Sequence, residues 1–213
     1  MNVLVVGAHG ATGRRVGGKL VERGQRVGAM VRDPAQTVVL RELGAAPVVA
    51  DLTRAETLPP TLRGQEAVIF AAGSKGRDLE SVDRDGAIRL IDARGSEGVR
   101  RFVMLSLFFA GRPEDGPERI RAYLRAKQAA VKHLAASGLD ATIVRPGWLT
   151  GGEPTGCIRL AECLNDEASS ISRADVAETL ALALELPAAV GRTFEISAGP
   201  TPIEEALAGL ART

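Results

Sequence analysis

The fold is decided at the amino end of the chain, where residues 1–20 read MNVLVVGAHGATGRRVGGKL. The run from Asn2 to Val6 is apolar and rich in β-branched residues, which predicts a strand. Three glycines follow at steps of three, and helical spacing begins at about Arg14. This order suits an anion, because the first turn of a helix has N–H groups without partners and carries partial positive charge.

The three glycines have the spacing Gly-x-x-Gly-x-x-Gly, which departs from the Gly-x-Gly-x-x-Gly fingerprint of dinucleotide sites. Glycine has no Cβ, so it lets a diphosphate approach the backbone and lets the helix pack closely on the strand. A purely structural loop is the alternative, but the position directly after the first strand favours a nucleotide site. The candidate binding residues in the turn are Gly7, His9, Gly10, Ala11, Thr12, Gly13 and Arg14.

Short apolar runs alternate with stretches of helical spacing along the chain. The runs are Val3 to Val6, Arg26 to Val31, Pro47 to Ala50, Ala67 to Ala71, Arg101 to Leu105, Ala141 to Val144 and Thr193 to Ile196. The helical stretches are Arg14 to Arg23, Asp83 to Glu97, Ile120 to Ser137, Arg173 to Leu186, with Ser172 as its N-cap, and a closing helix at Ile203 to Ala211. We therefore expect residues 1–213 to form one α/β domain, a doubly wound (Rossmann-type), mostly parallel sheet with helices on both faces.

The composition is that of an ordinary globular protein, since 45% of the 213 residues are hydrophobic and 25% are charged. Lys and Arg total 27 against 26 Asp and Glu, so no net field attracts nucleic acid or an anionic membrane. No apolar run reaches the roughly 18 residues of a membrane span, and the amino end is typical of a strand rather than a signal peptide. We expect a cytoplasmic monomer or homodimer whose partner is a small-molecule substrate, with no binding to nucleic acid or membrane.

The two cysteines, Cys157 and Cys163, lie in one short region without a nearby histidine. A metal site needs more ligands than this region offers, so we expect no metal. Buried thiols outside any disulfide are the prediction for both residues.

The end of the second strand bears on the choice of cofactor. The sequence there is AMVRDP, with Arg32 at the strand end and Asp33 after it. An acidic residue at this place usually binds the ribose hydroxyls of NAD, whereas an arginine accommodates the 2′-phosphate of NADP. Arg32, with His9 and Arg14 nearby, therefore predicts NADP and makes NAD the less favoured cofactor. The alternative is that Arg32 and Asp33 form a solvated turn before Pro34.

Two further strand ends supply candidate contacts to a dinucleotide. Asp51 and Leu52 follow the third strand, and the Asp51 carboxylate could bind the adenine amine or instead cap a helix. Ala71, Ala72 and Gly73 follow the fourth strand, where small side chains leave room for a ribose or a nicotinamide near the backbone. Ordinary packing is the alternative for these three residues.

A candidate catalytic group lies on the fifth strand and the helix after it. Ser106 follows the run RFVML, and Tyr123 and Lys127 are four residues apart, so they share a helix face. A cation beside a phenol lowers its pKa from about 10, which would let Tyr123 transfer a proton during hydride transfer while Ser106 orients a substrate carbonyl. By spacing alone, a solvated helix face is the alternative.

Several motifs in combination resemble the atypical short-chain dehydrogenase/reductase superfamily. They are GAHGATG at 7–13, VRDP at 31–34, AAG at 71–73, YLRAK at 123–127, ASGLDATIVRPGWLT at 136–150 and SRADVAETL at 172–180. Within it, the chain resembles the small NmrA-like or biliverdin/flavin-reductase-like branch, often called NAD-dependent epimerase/dehydratase, over essentially its whole length. The resemblance implies a cofactor over the glycine turn, Pro146 and Gly147 beside the nicotinamide, and catalytic roles for Ser106, Tyr123 and Lys127.

The segments after the fifth and sixth strands, residues 107–122 and 148–172, are the expected substrate-pocket elements. Their apolar residues nearest the nicotinamide are Phe108, Phe109, Trp148 and Leu149, which suit a small or flat hydrophobic substrate, unless they pack the loops or a dimer contact. The leading hypothesis is an NADP(H)-dependent oxidoreductase that reduces a small carbonyl, quinone or flavin-like compound. The alternatives are an NADP-sensing, non-catalytic NmrA-like regulator and a small sugar epimerase or dehydratase.

Overall fold

The computed structural model describes residues 1–74, 76–94, 98–164 and 169–212, and the strands within them form two sheets. The strands are β1 (Asn2–Val6), β2 (Arg26–Val31), β3 (Ala46–Val49), β4 (Ala67–Phe70), β5 (Arg101–Leu105), β6 (Asp140–Pro146), β7 (Trp148–Thr150), β8 (Cys157–Ala161), β9 (Ser170–Ser172), β10 (Thr193–Ala198) and β11 (Thr201–Pro202). Strands β1 to β6 and β10 coincide with the seven apolar runs that predict strands. The structure therefore confirms each of those predictions to within a few residues.

Helices connect or follow these strands, and five of the seven in the described residues begin near the places that the sequence predicts, whereas the second and third in chain order were not predicted. They are α1 (Ala11–Glu22), α2 (Thr37–Glu42), α3 (Pro59–Leu62), α4 (Asp85–Ala93), α5 (Arg121–Ala136), α6 (Arg173–Glu185) and α7 (Ile203–Ala208). Helix α1 begins three residues before its predicted start, which places Gly13 inside the first turn. A π-helical turn at Leu79–Arg84 precedes α4, and residues 95–97 of the helix predicted there lie outside the described residues.

The larger sheet has the strand order β11-β8-β10-β6-β5-β4-β1-β2-β3. All neighbours from β10 to β3 are parallel, whereas β8 and β11 pair antiparallel at one edge, so the predicted mostly parallel, doubly wound α/β sheet is confirmed. Strand β1 lies between β2 and β4, and the chain leaves it first in one direction and then in the other. Ligands bind such sheets at this switch point, beyond the carboxyl ends of the strands.

The short strands between α5 and α6 were not predicted. Strands β7 and β9 form a separate parallel pair, and β8 joins the large sheet through β10, in a segment that the sequence analysis treats as loop. These strands have only three to five residues, and glycines and prolines flank them. Their pairing depends on partners that are distant in sequence, so their local pattern carries little signal.

The core lies on both faces of the sheet, because side chains alternate along each strand. On β1, Val3 and Val5 face a cluster beneath α1 and α6, whereas Leu4 and Val6 face the cluster that packs against α4 and α5. All four are buried, and burial of such a side chain contributes about 1.5–3 kcal/mol. No helix among the described residues has both the length and the apolar character of a membrane span.

Candidate active site

The glycine turn brings the end of β1, the start of α1 and the end of β4 into close contact. Gly7 has a φ of +80°, and a Cβ there would lie 2.7 Å from the Cα of Ala72. A Cβ on Gly13 would lie 2.2 Å from the carbonyl oxygen of Gly7. Only glycine fits these two positions, because the neighbouring atoms belong to the backbone and cannot move aside cheaply.

The first turn of α1 is open to an anion. Gly10 is the N-cap and offers no side-chain cap, and the first turn holds no acidic residue. The amides that an α-helix leaves without intrahelical partners therefore face the groove at the end of β1. This arrangement fits a diphosphate bridge, whose oxygens would accept from these N–H groups.

A groove runs along the carboxyl edge of the sheet on both sides of this turn. Its two halves meet at Gly10, Ala71, Ala72 and Gly73. The β2 half, on the side of β2 and β3, has a volume of about 500 Å³, and the β5 half, on the side of β5 and β6, has about 440 Å³. The groove thus has two adjoining compartments, as the two nucleoside parts of a dinucleotide require.

The β2 half has a guanidinium at the end of the second strand, although two arginines and two aspartates line the half as a whole. Arg32 and His9 line it, together with Gln36 and Arg77, which the sequence analysis did not single out. Asp33 is not among its lining residues, because its carboxylate accepts from the backbone N–H of Ala35 at 2.9 Å and caps the next turn. The Asp33 carboxylate therefore caps the turn that follows β2 and does not line the groove.

Asp51 and Leu52 also line the β2 half. One Asp51 oxygen accepts from both the N–H and the hydroxyl of Thr53, each at 2.8 Å. Partial burial raises the pKa of Asp51, but these hydrogen bonds and the nearby charge of Arg32 outweigh burial and lower it overall. The carboxylate is therefore ionised at neutral pH, and it caps its own turn rather than a helix.

The three predicted catalytic residues line the β5 half together. Ser106, Tyr123 and Lys127 share it with Pro146 and Gly147. The Oγ of Ser106 is buried and has no hydrogen-bond partner in the described structure. Since buried hydroxyls are normally paired, this atom fits a site whose partner is a ligand.

A buried carboxylate that the sequence analysis did not identify lies behind these residues. Asp83, at the end of the π-helical turn, accepts from the N–H and the hydroxyl of Ser74 and lies 3.5 Å from the Nζ of Lys127. The Lys127 Nζ also donates to the carbonyl oxygen of Ala72 at 3.1 Å. A Cβ on Gly73 would come within 3.2 Å of Asp83 and 3.3 Å of the Tyr123 hydroxyl, so both groups flank the same point.

This carboxylate changes the expected acidity of the site. Burial lowers the pKa of Lys127, and the charge of Asp83 opposes that effect. Burial and the negative charge of Asp83 both raise the pKa of Tyr123 above its ordinary value. The expectation that Lys127 lowers the pKa of Tyr123 is therefore wrong, because the lysine charge is already paired with Asp83.

Apolar side chains form the walls of the β5 half. The structure places all four predicted wall residues there, and Leu105, Leu107 and Ile120 add to them; the predicted four are Phe108, Phe109, Trp148 and Leu149. Phe109 has a φ of +64°, a conformation that costs a residue with a side chain of the order of 1 kcal/mol or more and that clusters at functional sites. The guanidinium of Arg112 lies 5.1 Å from its ring.

Arg112 also connects the segment that holds Phe108 and Phe109 to the residues that follow β8. It lies 3.6 Å from the buried carboxylate of Glu195 and donates to the Sγ of Cys163, and Glu195 accepts from the N–H of Leu164 at 2.7 Å. Cys163 is exposed and Cys157 is only half-buried, so the prediction of two buried thiols is wrong. Cys157 begins β8 and Cys163 follows it. Strand β8 lies next to the edge strand β11, where the sheet is open to solvent on one side.

Most of the predicted binding residues are brought together. The exceptions are Gly13, which packs against Gly7 instead of lining the groove, and Arg14, which lines neither half. Together, the open helix turn, the backbone contacts of Gly7 and the unpartnered Ser106 hydroxyl fit a nicotinamide dinucleotide. Gly10, Ala11 and Thr12 would hold its diphosphate, and the Pro146–Gly147 turn would lie beside its nicotinamide.

Comparisons with known proteins agree with this fit. A family model described as NAD(P)H-binding matches residues 7–187. YhfK of Bacillus subtilis (strain 168), called an uncharacterized sugar epimerase, is 38% identical over 213 residues, which cover 97% of this chain and 99% of that protein. A Bacillus halodurans structure described provisionally as an NAD-dependent epimerase/dehydratase is 38% identical, with a TM-score of 0.93 over 98% of this chain and 99% of that one.

The oxidoreductase ylbE of Lactococcus lactis is 31% identical and has a TM-score of 0.91, with 100% of this chain and 98% of that chain covered. The family match begins at Gly7, the first glycine of the turn, and continues beyond the end of α6. It therefore spans every residue that lines the groove except Val6, including the first turn of α1 and the helix that carries Tyr123 and Lys127. On this agreement between site and sequence, the chain belongs to the NAD(P)H-binding family.

Proposed function

We propose that this protein is an NADP(H)-dependent reductase of a small, flat, apolar carbonyl, quinone or flavin-like compound. The observation that carries the proposal is that Ser106, Tyr123 and Lys127 line one half of the groove with the first turn of α1 and an apolar wall. A diphosphate at that turn would direct a nicotinamide toward these three side chains. The apolar walls would then hold a flat substrate against it.

The protonation states suit reduction. A raised pKa keeps Tyr123 a neutral phenol at neutral pH, so it can donate a proton but cannot readily accept one. When bound, the reduced nicotinamide supplies the hydride to the carbonyl carbon. Tyr123 donates its proton to the carbonyl oxygen, and solvent later replaces that proton. Ser106 donates a hydrogen bond to the same oxygen and orients it.

Lys127 and Asp83 act as a pair behind this step. The Nζ of Lys127 has three N–H donors, one of which is directed to the Ala72 carbonyl and another of which faces Asp83. The remaining donor is available for a ribose hydroxyl. Asp83 pairs with the Lys127 ammonium group and holds it in place for this contact.

NADP is the proposed cofactor because of the guanidinium at the end of β2, in a half that Arg77, Asp51 and Asp78 also line. Arg32 lines this half while Asp33 caps the following turn, so the strand end offers a guanidinium and not a free carboxylate to the ribose. His9, Gln36 and Arg77 add donors around the same space. A guanidinium pairs bidentately with a phosphate, which favours the cofactor with the 2′-phosphate.

A small epimerase or dehydratase is the second candidate, because YhfK and the Bacillus halodurans protein carry such descriptions. Such an enzyme retains its cofactor and causes no net oxidation. A sugar requires many polar contacts, whereas the walls of the β5 half are formed by leucine, isoleucine and aromatic side chains. The apolar wall therefore favours the reductase.

The test is NADPH oxidation with a panel of quinones, aldehydes, ketones and flavins, measured for the native protein and for Tyr123→Phe. We expect saturable oxidation with at least one class, and a loss of kcat of roughly 100-fold or more in the variant. The dissociation constant for NADPH, measured by calorimetry, should stay unchanged in the variant. Binding of NADPH with no turnover across the panel would favour the non-catalytic regulator, and full activity without the hydroxyl would remove Tyr123 from the mechanism.

A further inference from the structure

The β5 half contains a second cation that the proposed chemistry does not use. Arg173 lines this half from the first position of α6. Its place is fixed, because the Ser172 hydroxyl accepts from the N–H of Asp175 at 3.0 Å and donates to the Asp175 carboxylate at 2.8 Å, which confirms the predicted N-cap. Ser172 is also in register with Thr150 in the pair of strands that borders the groove.

The carboxylate nearest in sequence is not a partner for Arg173. Asp175 accepts from the Ser172 hydroxyl and from the N–H groups of Thr155 and Gly156, at 3.1 and 2.9 Å. Among the residues that the structure describes, no side chain pairs with the Arg173 guanidinium. Neighbouring arginines differ in this respect, since Arg112 pairs with Glu195 and Arg119 lies 5.5 Å from the Trp148 ring.

The charge of the β5 half is therefore unbalanced. No carboxylate is among its described lining residues, and its two cations are Lys127 and Arg173. Asp83 pairs with Lys127 from behind the wall, so only the Arg173 charge remains without a counter-charge. Arg173 is a half-buried residue without a counter-charge, and the positive end of the 13-residue helix α6 adds to the local field.

An independent feature of the same half also requires a polar ligand. Ser106 is 6% exposed, and its Oγ has no hydrogen-bond partner although it lines the groove. A ligand that satisfied Ser106 would lie between the apolar walls, within the compartment that Arg173 also lines. Both polar groups therefore face the space that a bound molecule would fill.

We propose that Arg173 binds an oxyanion, a phosphate or a carboxylate, of a molecule bound in the β5 half. The assignment rests on the proposed function only in taking this half to be the site of cofactor and substrate. A guanidinium matches such a group with two parallel N–H donors. The oxyanion has two possible sources, because α1 packs against α6 and its residues Gly10 to Thr12 line this half as well. One source is the diphosphate of the dinucleotide, and the other is an anionic group on the substrate.

The test compares the native protein with Arg173→Ala and Arg173→Gln, and with Arg159→Ala as a control that removes an exposed arginine from β8. Calorimetry with NADPH and NADH measures dinucleotide affinity and so tests whether the diphosphate is the source. Quenching of flavin fluorescence in the presence of NADP measures flavin affinity and so tests whether an anionic group of the substrate is the source. FMN and riboflavin are the probes, because they differ by one phosphate. Neither readout needs turnover, so a protein that binds these probes without reducing anything would still decide the role of Arg173.

If the diphosphate is the source, both Arg173 variants should weaken NADPH and NADH equally, by roughly tenfold or more. If the substrate is the source, dinucleotide affinity should be unchanged, and the native preference for FMN over riboflavin should disappear in both variants. The Arg159 variant should match the native protein in every arm. Arg173 variants that keep native affinity for both dinucleotides and for both flavins would overturn the proposal.

Discussion

The carboxylate of Asp83 lies 3.5 Å from the ammonium nitrogen of Lys127, and both side chains are buried. The charge of the lysine is thus already balanced within the protein before any ligand binds. A π-helical turn brings Asp83 to this place, and such turns often occur at functional sites. The consequence is that Tyr123 faces a carboxylate as well as a cation, so it remains a proton donor at neutral pH.

The first prediction concerns the titration of Tyr123, which is the only tyrosine in the chain. Its pKa should lie well above the ordinary value of about 10, because burial and Asp83 both disfavour the phenolate. Asp83→Asn removes one of these two causes and should move the pKa downward. The measurement is the near-ultraviolet absorption of tyrosinate as a function of pH, with Tyr123→Phe as the blank.

The same shift should be visible in the pH profile of reduction. The native enzyme should keep its proton donor through pH 10, whereas Asp83→Asn should lose activity at a lower pH on the alkaline side. A native Tyr123 that ionises at or below about pH 10, or an Asn variant with an unshifted alkaline limb, would contradict this picture of the site.

The groove could be predicted from the sequence because it follows from local patterns. Apolar runs mark the strands, and parallel crossovers place every strand end at one edge, so residues as distant as Arg32 and Ser106 were expected near one groove. The steps of three between Gly7, Gly10 and Gly13 marked the turn itself. These features depend on residues that are close in sequence, so local patterns are enough to predict them.

The features that escaped prediction depend on contacts between distant segments. The sequence predicts Asp83 only as the first residue of a helix. Its pairing with Lys127 appears only in the folded chain, where the π-helical turn packs against α5. Arg173 follows the predicted N-cap Ser172, and only the folded chain brings it to the β5 half. Cys163 reads as a buried thiol, although it lies beyond the end of β8 in contact with Arg112.

The second prediction separates a functional hydroxyl from a structural one. Ser106→Ala should lower kcat by roughly tenfold or more, because the substrate carbonyl loses a hydrogen bond. The free energy of unfolding should change by less than about 0.5 kcal/mol, since the Ser106 Oγ has no protein partner to lose. Steady-state kinetics and urea unfolding measure the two effects.

The matched control is Thr142→Ala, another buried hydroxyl. Its Oγ1 donates to the carbonyl oxygen of Ala189 at 2.5 Å and accepts from Arg101 at 2.7 Å. Removing it should cost about 1–3 kcal/mol in stability, because two buried groups lose a partner. If Ser106→Ala destabilises the protein as much as Thr142→Ala does, then Ser106 has a structural role that the geometry does not show.

The third prediction concerns the close packing of the glycine turn. Gly13→Ala should weaken NADPH binding at least tenfold and lower stability by about 1–3 kcal/mol, because its Cβ would lie 2.2 Å from the Gly7 carbonyl oxygen. Gly18→Ala in the same helix is the control, since a Cβ there meets nothing within 4 Å. That variant should bind NADPH normally and gain roughly 0.5–1 kcal/mol. Equal binding by the two variants, measured by calorimetry, would refute the role of the turn.

The last prediction tests the choice between NADP and NAD. Arg32→Ala should raise the dissociation constant for NADPH by roughly tenfold or more, because a charge-assisted contact to the 2′-phosphate is lost. Binding of NADH should change little, since it has no such phosphate. Arg63→Ala removes an exposed arginine just before β4, at the opposite edge of the sheet, and should leave both constants unchanged. Calorimetric titration of the native protein and of both variants with both dinucleotides gives the six constants, and an equal loss for NADPH and NADH in Arg32→Ala would show that Arg32 does not bind the 2′-phosphate.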